Sequence, residues 1–456
     1  MATRPPLPVD TVALSSREAA DLLARSLRYL PTSASPIVIL AVSGGPDSLA
    51  LLRAAREART LSCRFHVVTV DHGLRAESAA EAGFVADIAA RFGLPHSVRR
   101  WGGDKPAGNP QGRARAARYG LLIEAAHDLG AAAIMTAHHQ DDQIETHLLA
   151  HARKAGDRGL AGMRAVRALA PGLMLLRPFL DVPGARLKAS AAGLDPVDDP
   201  SNHDLRYDRV RIRQAIGAGL VDRTSVLTAI ATHAARREDE DTCLGTALGG
   251  LLRAGQLVVS SAEGRVELDP AAFEALDEAV ATDLLARILT AVAGEDYPPL
   301  RRATERLRRS LLASIPGRRS AHSLGGVVSE RTHATVFTRE FGRQGPAMVK
   351  VVPGAHHAVF DGRFDIFWEE GAPRGAAGLV PLGRFDLGNP TQRTLPVLVD
   401  GEGRPLSAAA AILPKFAGQM PALPMRERLS WRLGADLPVV TASGTGDLSA
   451  ITNASY

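Results

Sequence analysis

Ile37-Val38-Ile39-Leu40-Ala41-Val42, followed at once by Ser43-Gly44-Gly45-Pro46-Asp47-Ser48, decides how this chain is read. The first six residues form an unbroken apolar run, the pattern of a strand buried on both faces. Two glycines then let the backbone turn at positive φ and come close to a ligand. A helix is expected from about Asp47 to Arg59, so its first N–H groups and its dipole would make an anion site. Ser43 and Ser48 are expected to add hydroxyl donors for phosphate oxygens. A carboxylate within such a loop is out of place unless a cation stands between it and the phosphate, so Asp47 predicts Mg²⁺. The loop lacks the Gly-Lys ending of a Walker motif.

Outward from that stretch, short apolar runs alternate with helical patterns. Phe65 to Val70 reads as a second strand and Ala79 to Phe92 as a helix. Ser97-Val98-Arg99 is a weaker strand, Gln111 to Leu129 a long helix, and Ala132 to Thr136 a fourth strand ending at His138 and His139. This alternation predicts an α/β fold, a doubly wound parallel sheet, with the glycine loop at the carboxyl end of its first strand. Leu173 to Leu176 is one more strand. Residues 206 to 303 read as mostly helical. Beyond about 316, glycine and proline become frequent, with strands expected at Ala334 to Phe337 and Leu395 to Val399. Pro396 cannot donate to a ladder, which places that strand at a sheet edge. The expected division is an extension over 1–35, a catalytic domain over 36–220, a helical domain over 221–315 and a smaller mixed α/β domain over 316–456.

The 456 residues are 45% hydrophobic and 23% charged, ordinary for a globular protein, and no apolar run reaches the length of a membrane span. No secretory signal is read at the N-terminus. Cys63 and Cys243 give no disulfide framework, so a reducing cytoplasm is expected. Net charge is +5, and lysine occurs only at positions 105, 154, 188, 350 and 415, so the basic side is arginine. Arginine's planar fork suits phosphate.

Three further segments carry chemistry. Asp71 and His72, within Val70-Asp71-His72-Gly73-Leu74-Arg75, close the second strand near the glycine loop. In Ala137-His138-His139-Gln140-Asp141-Asp142-Gln143-Ile144-Glu145-Thr146, a strand ends and a helix begins. Helical spacing puts Asp141 or Asp142 on the face of Glu145, and gathered like charges require a metal, an amine or an arginine nearby. Arg115 and Arg118, three apart, share a helix face beside Tyr119 and suit phosphate.

Ser-Gly-Gly-x-Asp-Ser after a first strand resembles the loop of the PP-loop ATP pyrophosphatases, which cleave ATP between the α and β phosphates. Within them, Val70 to Arg75, Ala137 to Thr146, Gly159-Leu160-Ala161-Gly162-Met163, Asp199-Pro200-Ser201-Asn202, Tyr207, Arg209, Ile212 and Arg213 resemble the motifs of tRNA(Ile)-lysidine synthetases. The chain departs from that pattern at Arg153-Lys154, Leu194-Asp195-Pro196 and Val210. The resemblance covers about residues 36 to 215.

It implies a PP-loop, Rossmann-like fold and a carbon–nitrogen ligase. That enzyme joins lysine to C2 of the wobble cytidine in tRNA(Ile) with a CAU anticodon, which then reads AUA in place of AUG. Implied as ATP-binding are Ser43, Gly44, Gly45, Pro46, Asp47, Ser48, Asp71 and His72, with Asp47 on Mg²⁺. Implied as catalytic are Asp47, Arg115, Arg118, His139, Asp142 and Glu145, and for substrate, AMP or tRNA, Asp141, Arg209 and Arg213. The partners are tRNA(Ile) and free L-lysine, with no membrane and with a homodimer left open. Arg301, Arg302, Arg306, Arg308 and Arg309 on one helix read as a phosphate track or, equally well, as a solvated helix face. The rivals are a tRNA thiolase, for which the two cysteines supply no motif, a small-molecule amidating ligase, and a tRNA-binding protein without catalysis.

Overall fold

The computed structural model describes residues 11–30, 35–58, 61–73, 78–102, 110–197, 206, 208–314, 318–416, 420–441 and 444–447. They form two compact units, 1–238 and 239–456.

In the first unit the chain runs α1 (Ser16–Leu27), β1 (Ile37–Ala41), α2 (Pro46–Glu57), β2 (Arg64–Asp71), α3 (Ser78–Arg91), β3 (His96–Arg100), α4 (Pro110–Leu129), β4 (Ala131–Met135), α5 (Gln140–Ala152), α6 (Asp157–Leu160), β5 (Val166–Ala170), β6 (Leu173–Leu176), α7 (Gly184–Ser190) and α8 (Asp208–Gly217). The sheet order is β3-β2-β1-β4-β6-β5. Five strands are parallel, as expected, while β5 pairs antiparallel with β6 at the edge. Strand order reverses between β1 and β4, and in such sheets ligands bind where the carboxyl ends part at that reversal.

The pleat of β4 divides the unit's core. Ala133 and Met135, with Ala137 against them, pack with residues of α1, α2, α3 and α7, whereas Ile134 packs with Leu122, Ala125 and Ala126 of α4. The described part of the expected N-terminal extension belongs to this core. Ser15 and Glu18 form a capping box that starts α1, and Ala19 and Leu23 are buried against α2.

The boundary between the units falls inside α9 (Arg223–Arg253). Then come β7 (Leu257–Ser260), β8 (Arg265–Leu268), α10 (Pro270–Glu274), α11 (Glu278–Ala293), α12 (Arg301–Leu312), β9 (Ser320–Leu324), β10 (Val327–Arg331) and β11 (Thr335–Arg339). A hairpin thus interrupts the expected helical stretch and joins a five-stranded sheet ordered β7-β8-β11-β10-β9. Helices and sheet share one core, in which Leu284 and Ile288 meet Val266, Val327 and Phe337. The expected boundary at 315/316 therefore runs through a single packed body.

The remainder comprises β12 (Val349–Lys350), β13 (His357–Phe360), β14 (Phe364–Phe367), β15 (Ala376–Pro381), β16 (Pro396–Asp400), β17 (Pro405–Ala408), β18 (Met425–Glu427), α13 (Leu429–Gly434), β19 (Pro438–Thr441) and β20 (Gly444–Asp447). Here β16 lies between β15 and β17, not at an edge. Pro396 is tolerated because it is the strand's first residue, where a missing donor costs least.

Candidate active site

The glycine loop turns at Gly44, whose φ is +87°, in the left-handed region that favours glycine. A Cβ there would meet Val197 Cγ2 at 3.3 Å, and the Val197 N–H donates to the Gly44 carbonyl at 3.0 Å, so the chain after α7 clamps the bend. Gly45 is the N-cap of α2 and provides no side-chain cap, which leaves the first-turn N–H groups to an outside anion. Ser43 is exposed. Ser48 departs from expectation. Its hydroxyl is buried, accepts from the Ser43 N–H at 3.2 Å and donates to the Gly45 carbonyl at 2.9 Å, so it braces the loop from within.

His139 caps α5, its Nδ1 accepting from the Asp141 N–H at 3.2 Å while its own N–H donates to Asp142 Oδ2 at 3.0 Å. This turns Nε2 toward two acids, 3.4 Å from Asp47 Oδ2 and 3.6 Å from Asp142 Oδ2. Burial pushes the imidazole down, but Asp47, Asp142 and Asp141 outweigh it and hold the group above its ordinary value. One turn along α5, Glu145 is 1% exposed and receives Arg213 Nε at 2.7 Å. Burial lifts its carboxyl above the usual range and Arg213 offsets this only in part. Asp47, His139, Asp142, Glu145 and Arg213 thus form one connected group, and Arg209, exposed, adds to the field on Glu145.

Other expected residues stand apart from that group. The Asp71 carboxylate accepts from the Gly73 N–H at 2.8 Å and from Arg100 Nε at 3.0 Å, and the His72 ring meets Trp101 edge-on. Arg115 and Arg118 lie over the Tyr119 ring, 5.3 and 5.5 Å from its centroid, on the α4 side of the sheet. Leu74, Arg75, Asp199 to Asn202 and Tyr207 lie outside the described residues. In the Gly159 to Met163 segment, Met163 exchanges two hydrogen bonds with the Gln143 amide, which anchors α5.

Two contributors carry no local sequence signal. Arg223 donates to Asp141 Oδ1 and to Gln140 Oε1. Gly184 lies so close that a Cβ would sit 2.8 Å from His139 Cε1 and 2.9 Å from Asp141 Oδ2.

Asp47 Oδ1 is buried without a hydrogen-bond partner, an acceptor suited to a cation. No cluster of three or more His, Cys, Asp or Glu among the described residues is arranged for a metal, so Mg²⁺ here would take Asp47 plus phosphate oxygens.

A glycine loop at the reversal point of a parallel sheet, facing a buried acid group, defines a PP-loop ATP-using enzyme. Residues 16–220 match the model of a family described as the PP-loop domain. A tRNA(Ile)-lysidine synthase from Methylobacterium nodulans is 42% identical over 312 residues, 66% of this chain and 89% of that protein. Another from Ruegeria pomeroyi is 37% identical over 332 residues, 71% of this chain and 75% of that one. The chain belongs to the tRNA(Ile)-lysidine synthase family. No helix among the described residues is long and apolar enough to cross a membrane.

Proposed function

We propose that the protein joins free L-lysine to C2 of the wobble cytidine of tRNA(Ile) bearing a CAU anticodon. The carrying observation is the placement of Asp47 of the glycine loop and Glu145 of α5 on one group joined by ion pairs and hydrogen bonds. ATP lies with its phosphates on the first turn of α2. Cytidine O2 attacks the α phosphorus, the bond to the β phosphate breaks and pyrophosphate leaves. The ε-amine of lysine then attacks C2, and AMP departs carrying the former O2. The amine must lose protons to act, and Glu145, whose carboxyl is held above the usual range, is the acceptor in this group. Mg²⁺ on Asp47 would neutralise charge building on the phosphates.

The His139 Nε2 proton, directed between Asp47 and Asp142, keeps both carboxylates in place without filling Asp47 Oδ1. Thiolation is disfavoured, because Cys63 and Cys243 supply no paired-cysteine motif, and burial raises the Cys63 thiol to about 11. The test is direct. Unmodified tRNA(Ile) transcript, ATP and labelled lysine should give label in the anticodon loop with one AMP per lysine. Absence of label beside an active control enzyme would overturn the reading.

A further inference from the structure

The α4 side of the β4 end carries a second cluster that the reaction above does not use. Thr136 Oγ1 and His138 Nδ1 are 2.8 Å apart, so His138 points to the face opposite His139. Around it stand Tyr119, Arg115 and Arg118 of α4 and Arg177, which follows β6 directly. Arg177 is 5% exposed, and its Nη1 is fixed on the Arg164 carbonyl at 2.6 Å. Arg177 Nε and Arg118 Nε are buried without hydrogen-bond partners, and the buried Tyr119 hydroxyl sits in the field of Arg115, Arg118 and Arg177. The groups that act most on Arg177 are the Tyr119 phenol and the guanidinium groups of Arg115 and Arg167.

A guanidinium taken out of water beside like charges is costly, and the buried Arg177 shares the Tyr119 phenol with the more accessible Arg115 and Arg118. The cluster has the composition of an anion site. The same cations hold His138 well below its ordinary value, after burial, so the imidazole is neutral near pH 7 and adds no charge of its own.

The geometry points to a phosphate-binding subsite built on Arg177, Tyr119 and His138, with Arg115 and Arg118 at its mouth, which takes a phosphodiester of the RNA strand beside the reacting base. The RNA backbone is favoured over the ATP polyphosphate for a topological reason. The anion site at α2 belongs to the other face of the sheet, with the residues packed on α1, α2, α3 and α7, so each face meets one of the two anionic substrates. This inference rests on the RNA-modifying reading, and Arg177 enters it as a binding residue with no motif in the sequence.

The test measures two affinities in the full chain. Binding of the tRNA(Ile) transcript is followed across salt concentration, and binding of a non-hydrolysable ATP analogue is followed without RNA. Arg177→Gln should weaken RNA binding about tenfold, the scale of one charge-assisted contact, and reduce the slope of log affinity against log salt by about 0.7 to 0.9. Analogue affinity should be unchanged. Arg177→Lys should restore the slope but only part of the affinity, since the fork is lost. Tyr119→Phe, which keeps the ring, serves where Arg177→Gln lowers the unfolding temperature, and should cost about threefold in RNA affinity alone. Loss of analogue affinity with RNA binding intact would assign the phosphate to ATP and overturn the proposal, as would no change in either. Binding of the transcript by the unaltered protein tests the underlying reading separately.

Discussion

His138 and His139 are neighbours in the chain, yet the pleat at the end of β4 sends them to opposite faces of the sheet, where the surroundings reverse their chemistry. His139 meets Asp47 and Asp142 and is held above the ordinary imidazole value against its burial, while His138 meets burial and arginines and is held well below it. The acid face carries Asp47, Asp142 and Glu145 beside the glycine loop; the basic face carries Arg115, Arg118 and Arg177. Adjacent residues just past a strand end can therefore belong to a proton-accepting site and to an anion site, each set by its own charged surroundings.

The strongest way to break this comparison is at Asp47. Asp47→Ala should lower lysine-dependent AMP release by about 10³-fold or more. The unfolding temperature should fall only slightly, because Asp47 Oδ1 has no partner to lose and the 3.4 Å contact of Oδ2 with His139 Nε2 belongs to a partly exposed carboxylate. A fully active variant would remove the acid face from the mechanism. Next is Glu145→Gln, expected to cost about 10²-fold in the same assay, with the loss in kcat and not in ATP affinity. Its effect on stability should be about 1 kcal/mol or less, since Arg213 is 46% exposed and water screens the pair.

Gly184→Ala sharpens the picture at a distance from any reacting atom. The new methyl must push on His139 Cε1, and overpacking of this kind costs about 1–3 kcal/mol, which thermal unfolding would register together with reduced turnover. Unchanged stability would mean that the cap of α5 has slack. The smallest effect is expected in α12. Arg301 is committed to Asp283 and Glu305, and Arg308 to Glu278, while Arg302, Arg306 and Arg309 are exposed. Arg306→Glu should weaken transcript binding about two- to threefold, mainly at low salt, and leave ATP-analogue binding alone.

Most of the acid face was legible in the sequence. The apolar run into Ser43 to Ser48 announces strand, bend and helix locally, and Asp142 and Glu145 are joined by helical spacing. What could not be read are the long-range partners. Arg223 reaches Asp141 from another helix, Gly184 presses on His139 from the start of α7, and Arg177 follows a strand on the far side of β4. Nothing in the neighbouring residues of these three marks them. Strands fared similarly. Edge strand β5 is short and carries arginine, the β7–β8 hairpin sits within helical texture, and Pro396 was read as an edge signal because a strand's first residue and its edge tolerate proline alike.

The central contrast is best tested by titrating the two imidazoles in the metal-free protein, by NMR of carbon-labelled histidine assigned with His138→Asn and His139→Asn variants. His139 should titrate above about 6.5 and His138 well below it. Linkage then fixes the signs. The stability contributed by His139 is complete below about 6.5 and is lost as pH rises through its folded value. That contributed by neutral His138 is complete above about 6.5 and is lost as pH falls through its folded value. Two midpoints split in this order are the predicted result; coincident midpoints, or the reverse order, would contradict the division of the site into an acid face and a basic face.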